Sequence, residues 1–252
     1  MPDNPGSWKN WKNFYRNCYA GQWETFSETL SRQAYHRKYQ DLCLMRLKEI
    51  RHGRILEVGA GRGDLLVRYP DLSNELYGCD LSEGNLLAAR KRFTETGRPV
   101  YLGLADAEYL PYADSRFDAV YSLSVLWYLP HPGAAIREMF RVAKPGGMVL
   151  FDMLNAFHVT TLSNHAWRIL CRWFGRELGR TSFATPGWLA RVVGEQAAEY
   201  HVYGNFLALP AGLPVLKEAG NWCRFVPRLA YAMTEGPGRV LAHKLLVTAI
   251  KR

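Results

Sequence analysis

Between Arg54 and Asn155 short apolar runs alternate with longer amphipathic stretches. Arg54 to Val58 (RILEV) and Glu75 to Asp80 (ELYGCD) each read as a buried strand bounded by turn residues. The stretch after Asp80 predicts a helix with Leu86, Leu87 and Ala89 sharing a face. Pro99 to Asp106 (PVYLGLAD) predicts a third strand, Arg116 to Leu129 a fourth and Met148 to Leu154 a fifth. A helix over His131 to Gly147, leaving through Pro145-Gly146-Gly147, separates the last two. Strands and helices alternating at this pitch predict an α/β fold, a doubly wound and mostly parallel sheet with its ligand at the carboxyl ends of the strands.

The flanks follow other patterns. Residues 31–50 predict a helix ahead of the first strand, preceded by an aromatic-rich segment (SWKNWKNFYRNCYAGQWETF). Thr161 to Arg180 places Leu162, Ala166, Ile169, Leu170, Trp173 and Phe174 on one helical face, with Arg168, Arg172, Arg176 and Arg180 recurring every four residues. Thr185 and Pro186 read as the cap and first turn of a further helix. Glu199 to Leu209 predicts a sixth strand, then an apolar, aromatic and basic insertion runs from Pro210 to His243.

The first strand ends in glycines. Gly59, Gly61 and Gly63 remove side chains where the chain must turn sharply into a helix expected to begin near Asp64, leaving N–H groups to face a ligand. A dinucleotide fingerprint places glycine at the sixth position under a pyrophosphate, whereas the residue here is Asp64, whose carboxylate would repel phosphate. With the acid Glu57 ahead of the turn, the pattern suits a ligand without phosphate and with a positively charged end, such as S-adenosylmethionine. Asp80, about 20 residues past the turn at a strand end, is placed to accept both ribose hydroxyls. Asp106 could accept from the adenine amino group while the Ala107 N–H donates to the ring. From the N-terminal segment, Tyr15, Tyr19 or Trp23 could set an aromatic face against the sulfonium.

Five motifs occur in order: Glu57-Val-Gly59-Ala-Gly61-Arg-Gly63, Asp80-Leu-Ser82, Ala105-Asp106-Ala107, Phe117-Asp118-Ala119-Val120 and Lys144-Pro145-Gly146-Gly147. Together they resemble class I S-adenosylmethionine-dependent methyltransferases, in particular the type 11 branch that includes ubiquinone and menaquinone biosynthesis enzymes. The resemblance covers about Gly53 to Asn155. It implies a seven-stranded Rossmann-like sheet with an antiparallel last strand, which AHKLLVTAIKR would supply. The candidate cofactor set is Glu57, Gly59, Ala60, Gly61, Gly63, Asp80, Leu81, Asp106, Ala107, Ser122 and Tyr19. Many relatives carry histidines after the fourth strand where this chain has Trp127 and Tyr128, and an aspartate where it has His131.

Composition refines this picture. The 252 residues fit one domain with additions: a helical cap over 1–50, a cofactor-binding core over 51–155, and substrate-side helices, insertion and last strands over 156–252. The net charge of +9 is uneven, at +4 for residues 1–52, −2 for 53–155 and +7 for 156–252. Five scattered cysteines without a C-x-x-C pair argue against a zinc site or a disulfide scaffold. With no secretory apolar segment and no run long enough to span a bilayer, the expected location is cytoplasmic.

Methyl transfer from a sulfonium is an in-line displacement, so the protein must chiefly align the acceptor. Tyr128, His131 and His158 are the candidate catalytic groups if the acceptor must lose a proton. The stretch after the fourth strand reads SLSVLWYLP, without the N-P-P-Y-like tetrapeptide of nucleobase amine methylation. It also offers no carboxylate, so no divalent metal is expected beside Asp152 and Asn155. These readings favour a small-molecule or lipid-like acceptor, methylated on oxygen most often in this branch. The alternative is an RNA-binding or RNA-modifying methyltransferase using the basic flanks; a cofactor-binding regulator without turnover is a third. No DNA partner is expected. Residues 161–180 and the insertion are expected to form an apolar pocket with a basic rim over the cofactor's methyl end. That rim could also make peripheral contact with an anionic membrane.

Overall fold

The computed structural model describes residues 40–41, 43–69, 73–158, 161, 181–205 and 242–252. Its strands are β1 (Arg54–Val58), β2 (Glu75–Asp80), β3 (Tyr101–Leu104), β4 (Phe117–Ser122), β5 (Ala143–Asn155), β6 (Phe183–Ala184), β7 (Ala197–Asn205) and β8 (Lys244–Lys251). Its helices are α1 (Glu83–Thr96), α2 (Pro132–Val142) and α3 (Pro186–Gly194). The sheet runs β3-β2-β1-β4-β5-β8-β7, the seven strands expected, and the two-residue β6 pairs with β5 beside this path. Strands β1 to β5 are mutually parallel, whereas β8 is antiparallel to both β5 and β7. The start of β8 therefore lies at the end of the sheet where β4 and β5 finish.

Successive residues of a strand point to opposite faces, and β1 shows the consequence. Leu56 and Val58 join a core with Ile136, Met139 and Phe140 of α2 and Leu189 and Val193 of α3. Ile55 joins the opposite core, with Phe93 of α1, Leu66, Leu76 and the helical residues Leu44 and Leu47. Covering both faces is what permits the near-continuous apolar runs of the central strands.

Helix ends follow the expected chemistry. Ser82 caps α1 by accepting from the Asn85 N–H, and Gly97 closes it in the left-handed conformation, φ +65°. Thr185 caps α3 by accepting from the Trp188 N–H at 3.2 Å, with Pro186 in the first turn.

Several boundaries differ from expectation. In place of a helix from Asp64 there is a turn and a short 3-10 helix, Leu66–Arg68. Tyr69 is already extended (φ −57°, ψ 122°), as its position before Pro70 favours. The buried face of α1 is Leu86, Ala89 and Phe93; Leu87, one residue and about 100° further round, is 60% exposed. Strand β3 is shorter than expected, because Asp106 leaves the ladder to bridge with Tyr109. Strand β4 stops at Ser122 because Ser124 is left-handed, φ +63°, and a 3-10 turn over Leu126–Tyr128 follows. Helix α2 ends at Val142, since Lys144 precedes a proline and is biased to extended backbone. Residues Lys144–Gly147 instead bulge out of the β4–β5 ladder, with Gly146 at φ +73°. A Cβ on Gly147 would lie 2.8 Å from the Lys144 carbonyl oxygen.

Of the expected N-terminal helix, residues 40–41 and 43–47 are helical. Tyr15, Tyr19 and Trp23, residues 162–180 and residues 206–241 lie outside the described residues, so most of the cap, of the basic helix and of the insertion does too. Among the described residues no helix is long and apolar enough to cross a membrane.

Candidate cofactor and acceptor site

The glycine turn is tied to the end of β2, where the Cys79 carbonyl accepts from the N–H groups of Gly59 (2.8 Å) and Ala60 (2.9 Å). Its glycines serve different ends. A Cβ on Gly59, at φ +77°, would lie 2.4 Å from a Val125 methyl, so this position lets the turn seat against the loop after β4. Gly63 packs against Phe93 and Ala89 of α1. Among the described residues a Cβ on Gly61 would meet nothing within 4 Å, so the middle glycine faces space that none of them fills.

Asp80 borders that space. One carboxylate oxygen accepts from the Gly61 N–H and the other from the Ser82 N–H, both at 2.8 Å. Burial raises its pKa above the ordinary carboxylate value against the opposing pull of these bonds. Leu81 follows at the strand end and is half-buried. The Ala105 N–H donates to the Asp80 carbonyl at 3.0 Å, bringing the Asp106-Ala107 turn beside it. The Asp106 carboxylate accepts from the Glu108 N–H at 3.1 Å. Asp64, at the sixth position of the turn, pairs with Arg92 of α1. The turn thus carries a carboxylate at its sixth position, where a dinucleotide fingerprint has glycine under the pyrophosphate.

Two members of the predicted set have inward roles. The Ser122 hydroxyl donates to the Val58 carbonyl at 2.8 Å and is fully buried, so it joins β4 to β1 rather than facing the open space. Glu57 is 4% exposed and accepts from the Tyr121 hydroxyl at 3.2 Å. Burial pushes its carboxyl up to about 8.

The candidate catalytic residues separate. Tyr128 is half-buried in the 3-10 turn after β4, its ring centroid 5.7 Å from that of Trp127. His131 is exposed at the start of α2, its amide donating to a Glu108 carboxylate oxygen at 3.0 Å. It lines an open pocket of about 460 Å³ with Arg137, Phe183 and Trp188, and no residue of the glycine turn contributes to that lining. His158 is buried beyond the end of β5, and burial lowers its pKa below the ordinary histidine value. The His243 ring lies 5.1 Å away, centroid to centroid, in an edge-on arrangement. Burial, with His158 and Lys244 nearby, takes His243 down to about 4, so this imidazole is neutral at pH 7.

Three functional candidates were missed by sequence reasoning. His243 and Lys244 open a stretch read only as the last strand, although a lysine in an otherwise apolar run was a visible signal. Asp152 was left without a partner. In the fold the Lys244 ammonium is 3.4 Å from Asp152, which is fully buried and accepts from the Ser124 N–H at 2.7 Å. Among the described residues no group of three or more histidines, cysteines and acidic residues is arranged to hold a metal.

Residues 56–151, which contain the glycine turn, Asp80, Asp106 and the loop after β4, match the family model described as a methyltransferase domain. These residues are a methyltransferase domain. The ubiquinone/menaquinone biosynthesis C-methyltransferase UbiE of Burkholderia mallei is 31% identical over 134 residues, 52% of this chain and 55% of that protein. The chain thus matches about half the length of such curated relatives. The chain is also similar in fold to solved structures. A possible histamine N-methyltransferase from Thermotoga maritima matches with TM-score 0.62 at 18% identity, over 97% of this chain and 99% of that one. Magnesium protoporphyrin IX methyltransferase from Synechocystis, solved with S-adenosylhomocysteine, matches with TM-score 0.65 at 12% identity, over 98% and 100%.

The domain's fourth and fifth motifs lie at the other end of the sheet. Asp118 accepts from the Arg54 N–H at 2.8 Å and pairs with Lys144 at 2.7 Å, which fastens the entrances of β1, β4 and β5 far from the glycine turn.

Glu57 carries a pH prediction. Its folded value of about 8 lies above the ordinary glutamate value of 4.5, so the fold favours the protonated form. That stability is complete below the unfolded value and is lost as pH rises through the folded one. The ligand-free protein should therefore lose roughly 1 kcal/mol per pH unit across this window relative to Glu57→Gln. Denaturant titrations of the two proteins from pH 5 to pH 9 test this, and parallel stability curves would contradict it.

Proposed function

We propose that the protein is an S-adenosylmethionine-dependent methyltransferase of a small-molecule or lipid-like acceptor, with oxygen as the receiving atom. The observation that supports this most is the middle glycine of the turn, whose Cβ position, beside Asp80, meets none of the described residues within 4 Å, in a stretch that matches a methyltransferase domain. S-adenosylmethionine, when bound, supplies a methyl group already activated on a sulfonium. Asp80 would hold the ribose hydroxyls, and Asp106 with the Ala107 N–H would take the adenine edge. Glu57 stays beneath the turn as a buried acid. The residues after β4 and β5 then have to align the acceptor and exclude water, and orientation alone is worth roughly 7–11 kcal/mol.

Of the three catalytic candidates, His158 is favoured for accepting a proton from an acceptor hydroxyl. It follows the carboxyl end of β5, and burial favours its neutral form. Carbon is the second reading for the receiving atom, because the UbiE relative is named a C-methyltransferase. Peripheral contact with an anionic membrane through Arg168, Arg172 and Arg176 belongs to the same proposal. Sedimentation with anionic vesicles at low salt, lost on adding salt, is its measurement.

The test of function is incubation of the purified protein with methyl-labelled cofactor and a metabolite and lipid extract of its source. A labelled small molecule or lipid is expected, and its bond to the methyl group distinguishes oxygen from carbon. Label in RNA, with binding that falls steeply as salt rises, would favour the RNA alternative. Absence of labelled product from competent extracts would favour a regulatory role.

A further inference from the structure

The loop after β4 is held from a distant part of the chain. Ser124 occupies the left-handed region at φ +63°, which a residue with a side chain adopts only at a cost and keeps only when its surroundings hold it there. Two side chains do so. Asp152 of β5 accepts the Ser124 N–H at 2.7 Å, and Lys244 of β8 donates to the Ser124 hydroxyl oxygen at 3.1 Å. The same ammonium faces the second oxygen of Asp152 at 3.4 Å and lies 4.3 Å from the Trp127 ring centroid. The next residue, Val125, fills the space that a Cβ on Gly59 would need. A strained residue is thus gripped by backbone and hydroxyl at once, between the glycine turn on one side and Trp127 and Tyr128 on the other.

A buried ion pair adds little net stability over apolar side chains of similar volume, so stability alone does not account for this arrangement. Geometry does. In-line transfer punishes misplacement, and a shift of about 1 Å in a positioning element can cost about 100-fold in rate.

We propose that Lys244 and Asp152 are positioning residues that lock the Ser124–Tyr128 loop against the glycine turn. They thereby fix the acceptor side of the site relative to the cofactor side. This role rests on the methyltransferase reading above. Neither residue needs to touch the reacting atoms; both act through Ser124, Val125 and Trp127.

The test is calorimetric titration of the full chain with S-adenosylhomocysteine, together with thermal melting. The proteins compared are the parent, Ser124→Ala, Lys244→Arg, Lys244→Met and the double variant Asp152→Asn/Lys244→Met. Ser124→Ala keeps the ion pair and should melt like the parent, yet bind about fivefold more weakly. Lys244→Arg should bind close to the parent because it keeps both the charge and the donor. Lys244→Met should lose about tenfold in affinity and also melt lower, because it takes away the ammonium that faces the buried Asp152 carboxylate. The double variant strands no charge and should recover melting temperature, but not affinity, because the Ser124 hydroxyl still lacks its donor. Parent-like affinity in Ser124→Ala, or affinity returning with melting temperature in the double variant, would show that the pair only stabilises the fold and would overturn the proposal. A parent protein that does not bind S-adenosylhomocysteine would instead refute the methyltransferase reading, and the positioning role with it.

Discussion

Gly59→Ala should destabilise the protein by about 2–4 kcal/mol and abolish measurable S-adenosylhomocysteine binding. The new methyl group would lie 2.4 Å from one Val125 methyl and 2.8 Å from the other, at a φ of +77° that alanine tolerates poorly. Either Val125 retreats, moving the loop after β4, or the turn lifts away from the end of β2. Both disturb the surface on which the cofactor is proposed to sit. Gly61→Ala is the informative contrast. Its φ of +54° is ordinary left-handed backbone and its Cβ meets no atom of the described residues within 4 Å, so folding should suffer by only about 1 kcal/mol. Its affinity should nevertheless fall more than about tenfold, because the methyl group enters the space assigned to the ligand. Denaturant titration and calorimetry on both variants separate the two effects. Parent-like affinity in Gly61→Ala would place the cofactor elsewhere.

Asp80→Ala should weaken S-adenosylhomocysteine binding by about 100-fold while leaving the protein folded. The substitution removes the acceptor proposed for the ribose hydroxyls and also leaves the N–H groups of Gly61 and Ser82 without their partner. Leaving the ribose hydroxyls without their acceptor costs about 1–3 kcal/mol of binding, and roughly 2.7 kcal/mol corresponds to the stated loss. Asp80→Asn should fall between, since one amide oxygen can replace only one of the two carboxylate oxygens. Calorimetric affinities in the order parent, asparagine, alanine are the expected result; equal affinities would remove Asp80 from the site.

Much of the cofactor side was legible in the sequence because it is built from local elements. Strand β1 was read with its observed bounds because a buried parallel strand announces itself as an unbroken apolar run. The glycine spacing and the distance to Asp80 were legible for a similar reason: both belong to one stretch from the first strand through the glycine turn to the second, whose length the geometry limits, although the helix expected in it is a short 3-10 turn. Element ends were less visible. Strand β4 was extended through Val125 and Trp127 because these residues are apolar, but their apolar surface serves packing on Gly59 and Lys244 rather than a strand face. Leu87 was assigned to the core on hydropathy, whereas the neighbouring helical positions had already filled the space facing the sheet.

The sequence by itself determined the order of the five parallel strands, the glycine turn and the acid beyond it, because hydrophobic period and motif spacing are properties of contiguous residues. Only the tertiary structure decided that the Ser122 hydroxyl is spent on Val58, that His131 lines a pocket to which no residue of the glycine turn contributes, and that His158 meets His243. It alone joined Asp152 to Lys244, 92 residues later. That pairing comes from the antiparallel return of β8 along β5, which sets Lys244 opposite Leu154 and brings its ammonium to the exit of β4. No local periodicity records such a meeting, since it depends on which strand β8 lies beside and in what register.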